Sequence, residues 1–497
     1  MSVTWHLRHA LLTGLRKKEN VLPDIDGREE TKSDLIRAIL SGSYPYLVSE
    51  EGTGKTRLAR SVARLLPPVP AIKGCPYHDD PKWDRTLLCE RCKEVSDPVA
   101  TFGFELIPGE KRFSRIQGNE YTNEAKLLGL KDIQAIACGA SPTDPKAFIG
   151  TGIFRANRGI LMIDELPAIR TKVQVLLHPL LEEKKAVLEE YNWERSVDLL
   201  MIATGNPVGF SHVNDIPRPL ADRLELIYMD LPEEAVEKEI MLKERSLLKG
   251  DGFTPNDLLS TASKDPYVDP ALCERNTVVP WWLIEVLNKT VRYTRECPNL
   301  EKKSSIRGGG RAFEHTISSC EMEGRRVATL KDVFFGLRLA LRGRIGLTPN
   351  FLDFDNPQNT IRKTDRVVED MLRDVLGEVS QEILANVTLN REAFVKELVS
   401  LRAEGTADGS NLNLRRFAES QKVVGRMRDS WSRKIPGAYC SEFEKQLFDG
   451  SEEVEASAAA EYERSAIDFI ASGLAAKGVL REEALLKDLF VPRKANL

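Results

Sequence analysis

The feature that most constrains this chain is a short glycine loop between an apolar run and a helical segment. Residues 46–48 form a strand-like apolar run, residues 52–56 read GTGKT, and a helical stretch begins at Arg57. Glycines at this spacing allow successive backbone N–H groups to close around phosphate oxygens. The N-terminus of the following helix adds the positive end of its dipole. The loop therefore predicts a nucleotide phosphate site, and a glycine-rich turn without a ligand is the alternative.

Each residue of this loop has an expected role. The Lys55 ammonium is expected to reach the β- and γ-phosphates, and the Thr56 hydroxyl to hold Mg²⁺. Ser49 stands where the usual pattern has its first glycine. That position forms a turn more than a phosphate contact, so we expect distortion rather than loss of the site. The residues predicted to bind the nucleotide from this loop are Gly52, Thr53, Gly54, Lys55 and Thr56.

A second motif lies about a hundred residues after Lys55. Residues 159–163 are an apolar run with the length of a buried strand, and Asp164 and Glu165 follow it. Parallel strands direct their carboxyl ends into the crevice where ligands bind. We expect Asp164 to hold Mg²⁺ and Glu165 to polarise the water that attacks the γ-phosphate. The two motifs together predict Mg²⁺-dependent hydrolysis of ATP.

A third apolar run, residues 199–203, leads to Asn206. An amide at this strand end can contact the γ-phosphate and orient the attacking water. The alternative is an asparagine that caps a turn before Pro207. Its place after the first two motifs favours the catalytic interpretation.

Composition limits the remaining possibilities. The chain has 497 residues, 42% of them hydrophobic and 29% charged, which is typical of a globular protein with several domains. Apolar runs stay well below the ~18 residues that a membrane span requires, so we expect no membrane insertion and a cytoplasmic location. The net charge of −4 gives no general indication of nucleic-acid binding.

The order of apolar runs and helical stretches predicts the domain organisation. Alternating strands and helices indicate a parallel sheet flanked by helices. We predict a helical lead-in over residues 1–44, an α/β nucleotide-binding domain over 45–232, a helical domain over 233–347 and a helical C-terminal region of unknown role over 348–497.

Between and after these motifs, the chain resembles the MoxR and magnesium-chelatase ATPase-subunit group of AAA+ proteins, within the clade that carries an insert in helix 2. The resemblance covers residues 27–347 and rests on several segments in the expected order. These segments are 124–129 (EAKLLG), 152–161 (GIFRANRGIL), 173–177, 180–183, the hairpin-like stretch 187–197, 203–207 (ATGNP), 219–224 (PLADRL), 305–309 (SIRGG) and 323–325.

The resemblance implies a P-loop AAA+ core followed by an all-α lid, assembled as a hexameric ring with ATP at the subunit interfaces. Asn206 would then be sensor 1. Arg223, with Arg218 as the rival, would reach the neighbouring subunit's site. Arg307 in the lid, with Arg311 as the rival, would contact the nucleotide of its own chain. The resemblance also implies a separately encoded partner with a von Willebrand A domain.

A cysteine cluster in the region around residues 74–94 has the spacing of a metal site. The pattern is C-x2-H-x10-C-x2-C, and two tight pairs of soft or borderline ligands suit tetrahedral Zn²⁺. Buried free thiols beside an exposed histidine are the alternative, which the polar surroundings disfavour. We therefore predict a structural zinc knuckle, with His78 the least supported of the four ligands Cys75, His78, Cys89 and Cys92.

Three functions are compatible with these features. An ATP-driven factor that remodels a partner protein, as a chaperone or in metal insertion, is the leading hypothesis. A nucleic-acid motor is the second, but residues 182–191 carry more acidic than basic side chains, which disfavours tracking along phosphates. The third is a nucleotide-gated scaffold with little turnover; Ser49 is its support, and the intact Asp164–Glu165 pair opposes it.

Overall fold

Two separate hydrophobic cores divide the chain at Pro232. In this computed structural model the first unit is Met1–Pro232 and the second is Glu233–Leu497. The residues that the structure describes are 2–50, 52–144, 147–188, 193–206, 214–243, 276–352, 357–385, 441–449 and 456–478.

Short strands of mainly aliphatic residues recur through the first unit. They are β1 (Tyr44–Val48), β2 (Val69–Ile72), β3 (Phe104–Ile107), β4 (Phe113–Gln117), β5 (Gly129–Lys131), β6 (Phe148–Gly150), β7 (Gly159–Asp164), β8 (Lys185–Leu188), β9 (Trp193–Ser196), β10 (Leu199–Gly205) and β11 (Leu224–Tyr228).

Five of these strands, counted over the described residues, form one parallel sheet in the order β11-β1-β10-β7-β4. The central strands β7 and β10 are buried along their whole length. Continuous apolar runs of this kind are typical of parallel strands covered on both faces. The predicted parallel α/β core is thereby confirmed.

The register brings the carboxyl ends of the strands to one edge of the sheet. Val48 of β1 lies opposite Gly205 of β10, and Gln117 of β4 lies opposite Asp164 of β7. Residues that follow these positions in sequence are therefore neighbours in space, although they come from distant parts of the chain.

Helices flank the sheet or belong to insertions. They are α1 (Val3–Arg16), α2 (Glu29–Ser41), α3 (Lys55–Arg64), α4 (Glu90–Lys93), α5 (Pro98–Phe102), α6 (Glu124–Leu127), α7 (Ile133–Ala137), α8 (Gly152–Arg155), α9 (Thr171–Gln174), α10 (His178–Glu182) and α11 (Arg218–Ala221). Helix α3 packs against β7, α2 packs against β1 and β11, and α1 packs against α2 and β10. The N-terminal helices thus belong to the core of the first unit.

Three antiparallel strand pairs accompany this sheet in the described residues of the first unit. Strand β2 pairs with β3, β5 pairs with β6, and β8 pairs with β9. In the last pair Ala186 lies opposite Arg195. Strand β8 begins at Lys185 and β9 ends at Ser196, so this β8–β9 hairpin overlaps the stretch 187–197 on which the resemblance partly rests.

The second unit is helical in the described residues, apart from the short pair β12 (Leu300–Lys302) and β13 (Gly346–Leu347). Its helices are α12 (Glu234–Lys243), α13 (Trp281–Tyr293), α14 (Ile306–Met322), α15 (Leu330–Leu341), α16 (Pro357–Ala385), α17 (Glu442–Asp449) and α18 (Ala456–Ala476). The predicted helical C-terminal region is confirmed where the structure describes it; residues 386–440 lie outside that part.

A buried aromatic cluster holds the second unit together. The Trp282 ring lies 4.8 Å from the Tyr462 ring, measured between centroids, and 6.3 Å from that of Phe469. Burial raises the pKa of Glu444, which accepts hydrogen bonds from the Tyr462 hydroxyl at 2.6 Å and the Trp281 backbone N–H at 2.9 Å. These contacts join α13, α17 and α18.

Among the described residues, no helix combines the length and the apolar character that crossing a membrane requires.

Two leucines of the sheet differ in burial, so their replacement by alanine should have different effects on stability. Leu161 on β7 is fully buried, whereas Leu226 on the edge strand β11 is 67% exposed. We expect Leu161→Ala to lower the free energy of unfolding of the first unit by about 2–5 kcal/mol, through lost burial and a cavity. Leu226→Ala should change it by less than about 0.5 kcal/mol. Urea denaturation of both variants measures this, and equal losses would contradict the buried position of β7.

Candidate active site

The glycine loop after β1 is shaped by two left-handed glycines and one hydroxyl pair. Gly52 and Gly54 have φ angles of 77° and 94°, a region that costs glycine no Cβ strain. The Ser49 hydroxyl lies 2.6 Å from the Thr53 hydroxyl, and both residues are buried. Ser49, in place of the usual glycine, therefore braces the loop from its inner side.

The Lys55 ammonium joins this loop to the end of β10. Its Nζ donates to the backbone carbonyls of Ser49 and Glu50 at 2.7 and 3.1 Å, and to Oδ1 of Asn206 at 3.2 Å. The register of β1 against β10 makes the last contact possible. The structure thus brings together two of the predicted site residues that are 151 positions apart.

Thr56 follows Lys55 in the first turn of α3 and is half-buried. The N–H groups of a first helical turn have no acceptors within the helix and are available to an anion. The Arg28 guanidinium donates to the carbonyl of Thr53, which fixes the loop from the side of α2. Loop, helix start and Lys55 therefore form one cradle.

Asp164 ends β7 with its carboxylate held on both oxygens. Oδ1 accepts from the Thr204 hydroxyl at 2.6 Å, and Oδ2 accepts from Nε of Arg115 at 3.1 Å. Arg115 also forms an ion pair with Oδ2 through Nη2. The residue is only 8% exposed. A mostly buried carboxylate of this kind needs a cation or hydrogen-bond donors around it.

Glu165 begins the turn after β7 in a left-handed conformation, with φ of 58°. Its backbone N–H donates to the Thr204 hydroxyl at 3.0 Å, and its Oε2 accepts from Nε2 of Gln117 at 3.2 Å. A Cβ at Gly118 would lie 2.3 Å from the Glu165 carbonyl oxygen. The close approach of the Gly118 backbone and the hydrogen bond to Thr204 together fix the direction in which the Glu165 side chain leaves the strand.

These groups have the chemistry that a magnesium nucleotide requires. Hydroxyl and carboxylate oxygens, as offered by Thr56 and Asp164, are the ligands Mg²⁺ prefers. Lys55 supplies a cation for phosphate, and Asn206 supplies an amide that can donate to it. The residues present therefore fit Mg²⁺ and a triphosphate.

Of the predicted arginines, Arg223 contacts groups of its own unit, and the other three are exposed. Arg223 forms an ion pair with Glu182 at 2.7 Å and donates to the carbonyl of Pro219. Arg218 is exposed at the start of α11. Arg307 and Arg311 are exposed on α14 and belong to the second unit.

Sequence reasoning assigned no role to three residues of this site: Arg115, Gln117 and Thr204. Arg115 and Gln117 alternate with buried residues on β4, so strand periodicity places both on one face. Thr204 lies two residues before Asn206 on a recognised strand. Its bridge between Asp164 and Glu165 depends on the register between β7 and β10, which a single sequence does not contain.

The cysteine region forms a buried cluster, but with a different fourth residue from the one predicted. Ligand atoms of Cys75, Asp79, Cys89 and Cys92 all lie within 4.8 Å of one another. The Sγ atoms of Cys75 and Cys89 are 3.7 Å apart. The three thiols are thus brought together as the spacing suggested, and Asp79 stands where His78 was expected.

His78 lies outside this close cluster of ligand atoms, and its ring contacts another group. Its Nδ1 lies 3.0 Å from the carbonyl oxygen of Asn157. Its backbone is left-handed, with φ of 55°, so its side chain leaves the chain in a different direction from that of Asp79. Burial lowers the pKa of His78, which favours the neutral ring.

Comparison with known proteins agrees with this geometry. The family described as "AAA domain (dynein-related subfamily)" matches residues 105–224. The matched region includes Asp164, Glu165, Asn206 and Arg223, and it begins after the glycine loop.

Two curated relatives are magnesium-chelatase subunits. The magnesium-chelatase 67 kDa subunit of Heliobacterium mobile is 34% identical over 157 residues, which are 30% of this chain and 22% of that protein. The magnesium-chelatase subunit ChlI of Euglena gracilis is 25% identical over 354 residues, which are 67% of this chain and 94% of that protein. The chain thus spans about a fifth of the length of the first and nearly all of the second.

Among solved structures, a cryo-EM-based structure of the complex between subunits BchI and BchD of magnesium chelatase matches 69% of this chain and 97% of its own, at 19% identity and a TM-score of 0.35. In sequence, the chain is thus similar to AAA-domain proteins over residues 105–224 and to magnesium-chelatase subunits over up to two thirds of its length, in agreement with the parallel sheet and strand-end acids described above.

Proposed function

We propose that this protein hydrolyses ATP with Mg²⁺ and uses the energy to remodel a partner protein, in chaperone-like or metal-insertion-assisting fashion. The observation that carries the proposal is the convergence of Lys55, Asn206 and the Thr204-bridged acid pair at one edge of the sheet. These groups supply phosphate binding, magnesium binding and a base within one crevice.

Binding would use groups of the glycine loop, the start of α3 and the end of β7. The backbone N–H groups of residues 52–56 would surround the phosphates, and Lys55 would exchange its carbonyl contacts for phosphate oxygens. Thr56 and Asp164 would hold Mg²⁺, which neutralises charge on the phosphates. Because Asp164 also contacts Arg115 and Thr204, its carboxylate is oriented before any metal arrives.

Hydrolysis would need one base and one orienting group. Glu165 would accept a proton as the water oxygen forms its bond to the γ-phosphorus and the bond to the bridging oxygen breaks. The products are ADP and inorganic phosphate. Asn206, through its amide, would hold the γ-phosphate and the attacking water in line. Gln117 would keep the Glu165 carboxylate in position between turnovers.

The proposal extends to assembly. We place the ATP sites at interfaces of a homo-oligomeric ring, a hexamer, with Arg223 acting on the neighbour's nucleotide and Arg307 of the lid acting as sensor 2. An arginine supplied across an interface stabilises charge that develops on the transferred phosphoryl group. The ion pair with Glu182 would hold Arg223 in place before the neighbour docks.

The partner is proposed from the relatives. The names of the relatives describe subunits of a larger enzyme, and the solved complex joins BchI to BchD. We propose an analogous separate partner for this chain, a protein with a von Willebrand A domain. We also propose that the cysteine cluster binds one structural Zn²⁺ ion, which stabilises the long excursion between α3 and β4.

Glu165→Gln should separate binding from turnover. The amide keeps the shape of the side chain but cannot accept the proton, so we expect turnover to fall about 100-fold or more while Mg²⁺-dependent ATP binding persists. Steady-state phosphate release and equilibrium binding of a fluorescent ATP analogue measure the two quantities. Glu225→Gln, an exposed carboxylate on β11, is the matched control. Unchanged turnover in Glu165→Gln would exclude Glu165 as the base.

Arg223→Ala subunits mixed into wild-type protein should inactivate their neighbours. If each site uses an arginine from the next subunit and the sites of a ring act in sequence, one variant subunit impairs the whole ring. When small amounts of variant are mixed in, the ATPase activity should then fall more steeply than the fraction of wild-type subunits. The same titration with Arg218→Ala distinguishes the two candidate arginines. A loss strictly in proportion to dilution for both variants would contradict sequential action through a shared interface.

The Glu165→Gln protein should also retain its partner in the ATP state. Affinity capture with this variant, in ATP and in ADP, is expected to recover one protein at near-stoichiometric amount with ATP only. Capture of nucleic acid, or salt-sensitive stimulation of turnover by DNA, would instead favour a motor on nucleic acid. Recovery that is equal with both nucleotides would contradict nucleotide-driven remodelling.

A further inference from the structure

The cysteine cluster has the dimensions of a tetrahedral zinc site. Zn–S bonds of about 2.3 Å at tetrahedral angles place neighbouring sulfurs about 3.8 Å apart. The observed separation of 3.7 Å between Cys75 and Cys89 fits this value. It is too long for a disulfide, whose sulfurs are about 2.05 Å apart. The cluster is closed to solvent, because Cys75 is 6% exposed and the other three members 1% or less. A closed site of this kind is structural rather than catalytic.

Asp79 is already oriented as a ligand by its surroundings. Its Oδ2 accepts from the Cys89 backbone N–H at 2.5 Å, and its own backbone N–H donates to Sγ of Cys75 at 3.5 Å. A carboxylate oxygen has room for a metal bond beside a hydrogen bond.

The other oxygen of Asp79 connects the cluster to the hairpin. Oδ1 forms an ion pair with Arg195 on β9, and both side chains are buried. The Arg195 guanidinium also lies 4.7 Å from the centroid of the Tyr77 ring. Zinc with three thiolates and one carboxylate carries a net charge of −2, and Arg195 offsets one of these charges inside the protein. A buried arginine at this place is explained by such a site.

We infer that Asp79, not His78, completes a Cys₃Asp zinc site with Cys75, Cys89 and Cys92, and that the same carboxylate anchors the β8–β9 hairpin through Arg195. The inference rests on the proposed zinc ion and names its fourth ligand and its role. Strand β9 ends at Ser196 and β10 begins at Leu199, so the anchored strand leads almost directly into the strand that ends at the nucleotide site. Zinc would thus fix the base of the hairpin next to that strand.

The zinc ligands can be identified spectroscopically in the wild-type protein. X-ray absorption at the zinc edge of the full-length wild-type chain should show three sulfur neighbours and one oxygen, without the outer-shell scattering of an imidazole. Metal analysis after purification without added zinc should give one zinc per chain. A wild-type chain without zinc would overturn both the proposed zinc ion and this inference. Zinc with an imidazole neighbour would overturn the inference alone.

Matched variants test the same ligand set by release rate. We expect Asp79→Asn to lose zinc to a chromophoric chelator at least 10-fold faster than wild type, and His78→Gln to stay within about twofold of it. Cys92→Ser is the positive control for a lost ligand. The reverse order, with fast loss from His78→Gln and wild-type retention by Asp79→Asn, would assign the fourth position to the histidine. The absorption spectrum of the wild type keeps the inference testable if Asp79→Asn fails to fold.

The anchoring role has its own test. Arg195→Met keeps an unbranched apolar side chain but removes the charge, so zinc should stay bound while amide exchange in β8 and β9 becomes at least 10-fold faster. Chelation of zinc from wild type should accelerate the same amides. Arg155→Met, an exposed arginine on α8, is the control and should change neither quantity. Unchanged exchange in β8 and β9 after both treatments would show that the site does not anchor the hairpin.

Discussion

The parallel register at one edge of the sheet is the constraint on which the candidate site depends. Strands β1, β10 and β7 end at the same level, with Val48 opposite Gly205 and Ala203 opposite Ile163. Each following residue is then within reach of its neighbour across the strands. The Thr204–Asp164 contact is a direct consequence of this register, and a slip of one residue would turn the two side chains to opposite faces. The same alignment brings the segments that follow β1 and β10 close enough for Lys55 to contact Asn206.

The burial of carboxylates is the second constraint, because a buried charge needs a partner. Two carboxylates of the first unit have such partners. Asp164 is held by Arg115 and Thr204, and Asp79 is held by Arg195 and a backbone N–H. In the Asp79–Arg195 pair both side chains are buried, and removing one partner of such a pair typically costs about 3–5 kcal/mol because the other charge remains buried. A divalent cation at either carboxylate adds an attraction without requiring new burial. Both carboxylates are therefore held in place by the packing around them.

The sequence was sufficient for the parts of this molecule that depend on local pattern. The glycine loop, the apolar run before Asp164 and the helical spacing of the second unit all predict the elements that the structure contains. Pairings that depend on register or on one backbone angle were out of reach. Thr204 and Arg115 meet Asp164 because of strand alignment, and the local backbone of the loop places Asp79, not His78, in the cysteine cluster. Spacing alone does not show which of two adjacent residues, both able to bind a metal, faces the cluster.

Hydrogen bonds connect the cysteine region to the start of β10, the strand whose end lies at the candidate nucleotide site. Asp198, between β9 and β10, accepts a hydrogen bond from the Val3 backbone N–H at 2.9 Å, and its own N–H donates to Oδ1 of Asn157 at 3.0 Å. Asn157 in turn donates to the carbonyl of Tyr77, in the cysteine region. The start of β10 is thus fixed by the N-terminal helix and by the cysteine region, while its end presents Thr204 and Asn206. A strand fixed at its start has little freedom to shift along its neighbours, so the same contacts that stabilise the insertion also maintain the register that the nucleotide site requires.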